Sequence, residues 1–161
     1  MGQEIERKFL VRNDNWRPLA RREHVIRQGY LSSNAKATVR IRTWDDKRAA
    51  ITLKGPSKGA SRAEFEYEVP IEDARELMEM ARPHLVEKRR YEVPLGELTW
   101  EIDVFEGRHH GLVIAEVELE SEDAPVDLPD WVGREVTEDD RYFNASLSRN
   151  EGLPPTDAGE S

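Results

Sequence analysis

The strongest constraint on this chain is a two-residue alternation of charge against hydrocarbon, already complete in Glu4-Ile5-Glu6-Arg7-Lys8-Phe9-Leu10. Extended backbone sends successive side chains to opposite faces. Glu4, Glu6 and Lys8 therefore share one face, and Ile5 and Phe9 the other. The pattern returns along the chain. Arg40 and Arg42 oppose Val39 and Ile41, and Lys54 opposes Ile51 and Leu53. Glu64, Glu66 and Glu68 oppose Phe65, Tyr67 and Val69. Lys88, Arg90 and Glu92 oppose Tyr91 and Val93. Glu101 and Asp103 oppose Ile102 and Val104, and Glu116, Glu118 and Glu120 oppose Val117 and Leu119. Such a chain must be mainly antiparallel β-sheet with one ionic and one apolar face.

Punctuation between the strands supports that reading. Val25 to Leu31 reads as a strand with Ile26, Gln28 and Tyr30 on one face. Lys36 to Trp44 and Arg48 to Lys54 form a hairpin about an Asp45-Asp46 turn. Gly55 to Ala60 is a loop and Arg62 to Val69 the next strand. Ala74, Leu77, Met78, Ala81 and Leu85 then change the period to that of an amphipathic helix, from about Glu72 to Arg82, ended by Pro83. Val86 to Val93 is a strand, Pro94 to Glu97 a turn, and Leu98 to Phe105 and Leu112 to Glu120 are strands. Asn13 to Glu23, with Trp16 and Leu19, is a short helix or loop, and Ser121 to Asp130 a loop. Thr137 is positioned to cap a short helix that carries Tyr142, Ala145 and Leu147. Residues 1–150 read as one domain, and the Pro- and Gly-rich residues 151–161 as a disordered tail.

The 161 residues suffice for one core, but apolar residues are only 37% and charged residues 35%. Charges held inside as well as outside would explain that balance. A net charge of −9 argues against a general nucleic-acid binder, while leaving room for a local anion site. There are no cysteines, so neither disulfides nor a thiolate metal site. No run of about 18 apolar residues or signal-like apolar segment occurs. The expectation is a cytoplasmic protein without membrane or nucleic-acid partners.

For any one strand, a solvated face is the simpler reading. For the set, two details oppose it. The alternating positions are almost purely ionic rather than mixed with Ser, Thr and Gln, and the charges are sorted by strand into acidic and basic strips. Strands of this kind can close into a barrel, with the charged face lining a tunnel and the apolar face covered by the helix and the Trp16 segment. Hard divalent cations take carboxylate and phosphate oxygens. Arg forks onto phosphate, and Lys meets it as a point charge.

At these residues the sequence resembles the CYTH superfamily, the triphosphate tunnel metalloenzymes. Glu4-x-Glu6-x-Lys8 matches the opening signature. The match continues through Gln28-Gly29-Tyr30, Arg40-x-Arg42, Leu53-Lys54, Glu64-x-Glu66, Lys88-x-Arg90-Tyr91, Glu101-x-Asp103, Glu116-x-Glu118 and Tyr142-x-Asn144. The resemblance implies an α+β fold: a closed eight-stranded antiparallel barrel with a few flanking helices, its tunnel binding a triphosphate with Mg²⁺ or Mn²⁺. It implies Glu4, Glu6, Glu116 and Glu118 as metal carboxylates, and Lys8, Arg40, Arg42, Lys54, Lys88 and Arg90 as phosphate-binding groups. Glu6, Glu118, Lys88 and Tyr30 are the catalytic candidates. Glu64, Glu66, Glu101 and Asp103 either bind a second metal or hold the basic residues. The segment around Tyr142 and Leu147 is similar to a helix that closes one tunnel mouth.

The expected reaction is metal-assisted hydrolysis of a terminal phosphoanhydride, with Glu6 or Glu118 taking a proton from water. Tripolyphosphate is the first-choice substrate, giving pyrophosphate and orthophosphate. A class IV adenylyl cyclase or a thiamine triphosphatase uses the same scaffold. A non-catalytic polyphosphate or nucleotide sensor and a structural β domain are rivals of other classes. The sequence leaves the oligomeric state open, a homodimer included. Trp44 either stacks on an organic ring or is a half-exposed turn aromatic, the second being favoured. His109-His110 reads as a loop rather than a metal pair, His24 and His84 as isolated surface residues, and Arg7 as packing or pairing outside the tunnel. Glu68, Glu92 and Glu120 read as solvated strand-end residues.

Overall fold

The computed structural model describes residues 3–149; the expected disordered tail, residues 151–161, lies outside them. Ten strands form one antiparallel sheet: β1 (Glu4–Val11), β2 (Arg22–Ser33), β3 (Thr38–Trp44), β4 (Arg48–Lys54), β5 (Ser61–Arg62), β6 (Glu64–Val69), β7 (Leu85–Leu95), β8 (Leu98–Phe105), β9 (Val113–Glu118) and β10 (Val132–Glu135). Helix α1 (Ile71–Ala81) follows β6, and α2 (Asn144–Arg149) ends the described chain. No helix among the described residues is long and apolar enough to cross a membrane.

Neighbours run β1-β9-β8-β7-β2-β3-β4-β6, and β5, almost continuous with β6, returns to β1. That makes eight positions around a ring, as expected. The closure is slight: Glu4 faces Arg62 and Ile5 faces Ser61, with the Glu6 N–H donating to Ala60 O. Beyond that point the same edge of β1 takes an additional strand, β10, pairing Phe9 with Glu135 and Val11 with Val132. The sequence reading had no strand there. Thr137 is not the expected cap either. Its Oγ1 accepts from the Lys8 N–H on the β1 edge, while Asp139 caps the short turn Asp140–Tyr142.

The apolar face does look outward and is covered in two places. Phe9, Val93, Trp100, Ile102, Ala115 and Val117 lie under Trp16, Leu119 and Trp131. Ile41 and Ala49 lie under Ala74 and Met78 of α1. Phe65 and Tyr67 on β6 remain exposed. Inside the barrel, Tyr30, Val86, Phe105, Ile114, Tyr142 and Leu147 form a third cluster that plugs one end with α2. The Asp45-Asp46 turn forms as read, both residues at positive φ. β7 runs on through Pro94 and Leu95, so the reversal falls at Gly96-Glu97 instead of beginning at Pro94.

A charged cavity inside the barrel

The ionic faces meet around a cavity of about 440 Å³. It is lined by Glu4, Glu6, Lys8, Tyr30, Arg40, Arg42, Lys54, Glu64, Glu66, Lys88, Arg90, Glu101 and Glu116, and by Asp140, Phe143, Asn144 and Arg149 from the closing segment. Period-two alternation explains the convergence: on a closed sheet every second residue must point to the axis. Two expected site residues are placed otherwise. Glu118 is exposed and does not line the cavity. Asp103 is 1% exposed and lies behind the lining.

The cations fall into two groups. Lys8, Lys54, Lys88 and Arg90 are ion-paired. Lys54 Nζ is 2.9 Å from Glu4 and 3.6 Å from Glu64. Lys8 is 3.6 Å from Glu116. Asp103 holds Lys88 at 2.7 Å and Arg90 through two bonds of 2.7 and 2.9 Å. Arg90 also reaches Glu101 at 3.2 Å and Glu116 at 3.4 Å. In this structure Glu64, Glu101 and Asp103 hold basic residues, and so, weakly, does Glu66, 3.9 Å from Arg40.

Arg40 and Arg42, on β3, form the other group. Both are buried. Arg42 has no carboxylate within ion-pair range among the described residues; its Nε donates to Gln28 Oε1 at 2.8 Å. Arg40 donates to Thr52 at 3.2 Å, and its Nε is buried without any hydrogen-bond partner. A buried donor left unsatisfied costs about 1–3 kcal/mol, so these guanidiniums are prepared for an anion the protein does not itself supply. Burial, with Arg40 and Arg90 alongside, pulls Arg42 down to about 10, which still leaves it charged at neutral pH.

The carboxylates divide between those with a close cation and Glu6. Burial, then Glu116, then Glu4, push Glu6 up to about 7, against the pull of Lys8. Burial also acts to raise Glu4 and Glu116, but Lys54 and Lys8 respectively bring them below the ordinary value. Burial alone would raise Asp103; Arg90 and then Lys88 hold it far below the carboxylate range. Lys88 is driven by burial down to about 7 despite Asp103.

Glu6 gives the test of whether a metal fits. A carboxyl kept close to neutral by like charges is relieved by a dication. No three acidic or histidine side chains among the described residues are gathered closely enough to hold a metal by themselves, because ammonium groups stand between them. This donor set fits a Mg²⁺-like ion that takes one or two carboxylates and completes its shell with water and substrate phosphate.

Some contributors escaped the sequence reading. Arg62 and Arg149 both line the cavity; Arg62 shares the parity of Glu64 and Glu66 and could have been read with them, whereas Arg149 stands on α2 and not on a strand. Phe143 places its ring 5.3 Å from Lys8 Nζ. His24 is not isolated at the surface: it bridges Asp45 at 3.0 Å and Glu92 at 3.3 Å. Glu92 is accordingly half-buried and not simply solvated. His109 is 1% exposed and hydrogen-bonds Leu147 O at 2.7 Å, bracing α2. Trp44 sits beneath Arg42 and Arg48 and does not line the cavity. Arg7 pairs outside with Glu135, as expected.

The CYTH domain matches residues 2–149 of this sequence. An inorganic triphosphatase of Acetivibrio thermocellus is 46% identical over 151 residues, covering 93% of this chain and 96% of that protein. An inorganic triphosphatase of Nitrosomonas europaea is 39% identical over 152 residues, covering 90% and 96%. The crystal structure of the inorganic triphosphatase NE1496 superposes with a TM-score of 0.68 at 34% identity, over 92% of this chain and 99% of that one.

Proposed function

The chain belongs to the CYTH domain family, and from that premise we propose that it hydrolyses triphosphates, inorganic tripolyphosphate foremost, to pyrophosphate and orthophosphate. The observation that carries this reading is the pair of buried guanidiniums that line the cavity: Arg42 has no carboxylate in ion-pair range among the described residues, and Arg40 has only Glu66, at 3.9 Å, with its Nε unpartnered. The activity named for the relatives at 46% and 39% identity supports it.

Arg40 and Arg42 grip the phosphate chain, and Lys8, Lys54 and Arg90 add charge where their carboxylate partners release it. Lys88 offers its ammonium to the departing pyrophosphate oxygen. Glu6, raised to about 7 by burial and its acidic neighbours alone, falls when a dication relieves it and is then an ionised carboxylate able to accept a proton at neutral pH. It takes the proton of the water whose oxygen bonds to the terminal phosphorus as the bridging P–O bond breaks. Glu118 is exposed and does not line the cavity, which favours Glu6 as the base. Tyr30 faces the cavity as an orienting hydroxyl. Mg²⁺ or Mn²⁺ would be held by one or two of Glu4, Glu6 and Glu116, with water and substrate phosphate completing its shell, and would supply charge neutralisation and a more acidic water. Arg40, Arg42, Lys88 and Arg90 are buried and held by the barrel, so these fixed charges act with little reorganisation.

Orthophosphate release from tripolyphosphate, ATP and thiamine triphosphate, each with Mg²⁺ and with Mn²⁺, tests the reading. Tripolyphosphate should lead by roughly tenfold or more in kcat/KM. Glu6→Gln should lose about 10²- to 10⁴-fold, the usual worth of a positioned base. Orthophosphate from none of the three would overturn the proposal.

A further inference from the structure

We propose that Asn144 is a positioning residue whose side-chain carbonyl ties the seated α2 helix to the arginine that grips the phosphate chain. Asn144 Oδ1 accepts from Lys88 Nζ at 3.0 Å and from Gln28 Nε2 at 3.1 Å. The second Gln28 N–H goes to the Tyr30 hydroxyl at 2.9 Å, and Gln28 Oε1 accepts from Arg42 Nε at 2.8 Å. Gln28 is completely buried, so water does not substitute for any of these partners.

The direction of this chain is fixed by chemistry. Lys88 and Arg42, at its two ends, can only donate. The Lys88 ammonium therefore requires the oxygen of Asn144, which requires the NH₂ of Gln28, which turns the Gln28 oxygen to Arg42. A flipped Gln28 amide would set N–H against N–H at Arg42. Asn144 adds to that penalty, because a flipped amide would also set oxygen against its Oδ1, and it stands on a six-residue helix that is not one of the barrel strands. Arg42 lacks a carboxylate among the described residues, so this amide is what sets the direction of its fork. The orientation of a phosphate-binding group is thus coupled to the seating of the closing helix.

This inference rests on the triphosphatase reading for its kinetics, but not for its structural readout. With tripolyphosphate as substrate, Asn144→Ala should lower kcat/KM by about 10- to 100-fold, the scale of a misplacement near 1 Å. Gln28→Ala should do the same, and the double variant should be no worse than the poorer single, because the two residues act through one connection. Asn144→Asp keeps an acceptor oxygen in place and should recover most of the loss, while the Tm of Asn144→Ala should stay close to wild type. Independently of turnover, the Arg42 Nε–H should give a slowly exchanging NMR resonance in the wild type and a rapidly exchanging one in Asn144→Ala. Unchanged exchange, losses that multiply in the double variant, or failure of Asp to restore activity would each overturn the inference. A wild type inactive on tripolyphosphate, with the exchange difference intact, would instead count against the functional reading alone.

Discussion

Burial presses two groups of the cavity lining toward the same point from opposite sides: Glu6 rises to about 7 and Lys88 falls to about 7. For Glu6 the consequence extends to stability. In the unfolded chain its carboxyl ionises near the ordinary value of 4.5; in the fold it keeps its proton until about 7. Between those values the native state binds more protons than the unfolded state, so this residue's contribution falls as pH rises, and above about 7 the loss is complete. The difference amounts to at most about 3–4 kcal/mol, at roughly 1.4 kcal/mol per pH unit. Glu6→Gln cannot ionise. Denaturant midpoints from about pH 5 to about pH 8 should therefore decline more steeply for the wild type than for the variant. Added Mg²⁺ should recover the wild-type decline and leave the variant unmoved. Parallel profiles would mean that Glu6 is ordinarily solvated in the free protein.

At the scale of elements, parity alone located nearly every interior side chain. The strips at Glu4, Arg40, Lys54, Glu64, Lys88, Glu101 and Glu116 were legible because a strand has only two faces. The two-residue ladder of β5 was not legible, since Ser61 and Arg62 are too few to carry a period. Nor was β10, whose Val-Gly-Arg-Glu lacks a regular apolar repeat. The Asn144 network joins residues 56 and 116 positions apart, and only the tertiary fold creates such a contact. Gly29 shows the same limit. Its neighbours Gln28 and Tyr30 turn into the barrel, Tyr30 onto the cavity, while Gly29 faces α1, where an added Cβ would meet Ala81 Cβ at 2.6 Å and Leu85 Cδ2 at 2.9 Å. The end of α1 rests directly on the β2 backbone there. Gly29→Ala should cost about 1–3 kcal/mol by overpacking, measured as a lower denaturant midpoint at unchanged m-value. Wild-type stability would show that α1 can lift away freely.

For the molecule as a whole, charge is divided between inside and outside. Eight cationic and seven acidic side chains line the cavity, although the chain as a whole carries −9. The lining is close to balanced, and the remainder of the chain holds essentially all of the negative excess. A polyanionic substrate therefore meets repulsion at long range and attraction only near the cavity. Salt treats the two fields differently. The exterior field spans water and is screened beyond about 10 Å at 0.1 M ionic strength; contacts with buried Arg40 and Arg42 are screened much less. A basic surface patch would lose affinity steeply as salt rises. Here, moving from about 20 to about 200 mM KCl at fixed free Mg²⁺ should leave kcat/KM for tripolyphosphate level or slightly raised, because the term that weakens most is the repulsion. Stopped-flow association rates should increase over the same range while dissociation changes little. A steep fall in kcat/KM would mean that the anion is gripped by solvent-exposed cations at the rim, and that the guanidiniums inside the barrel contribute little to its capture.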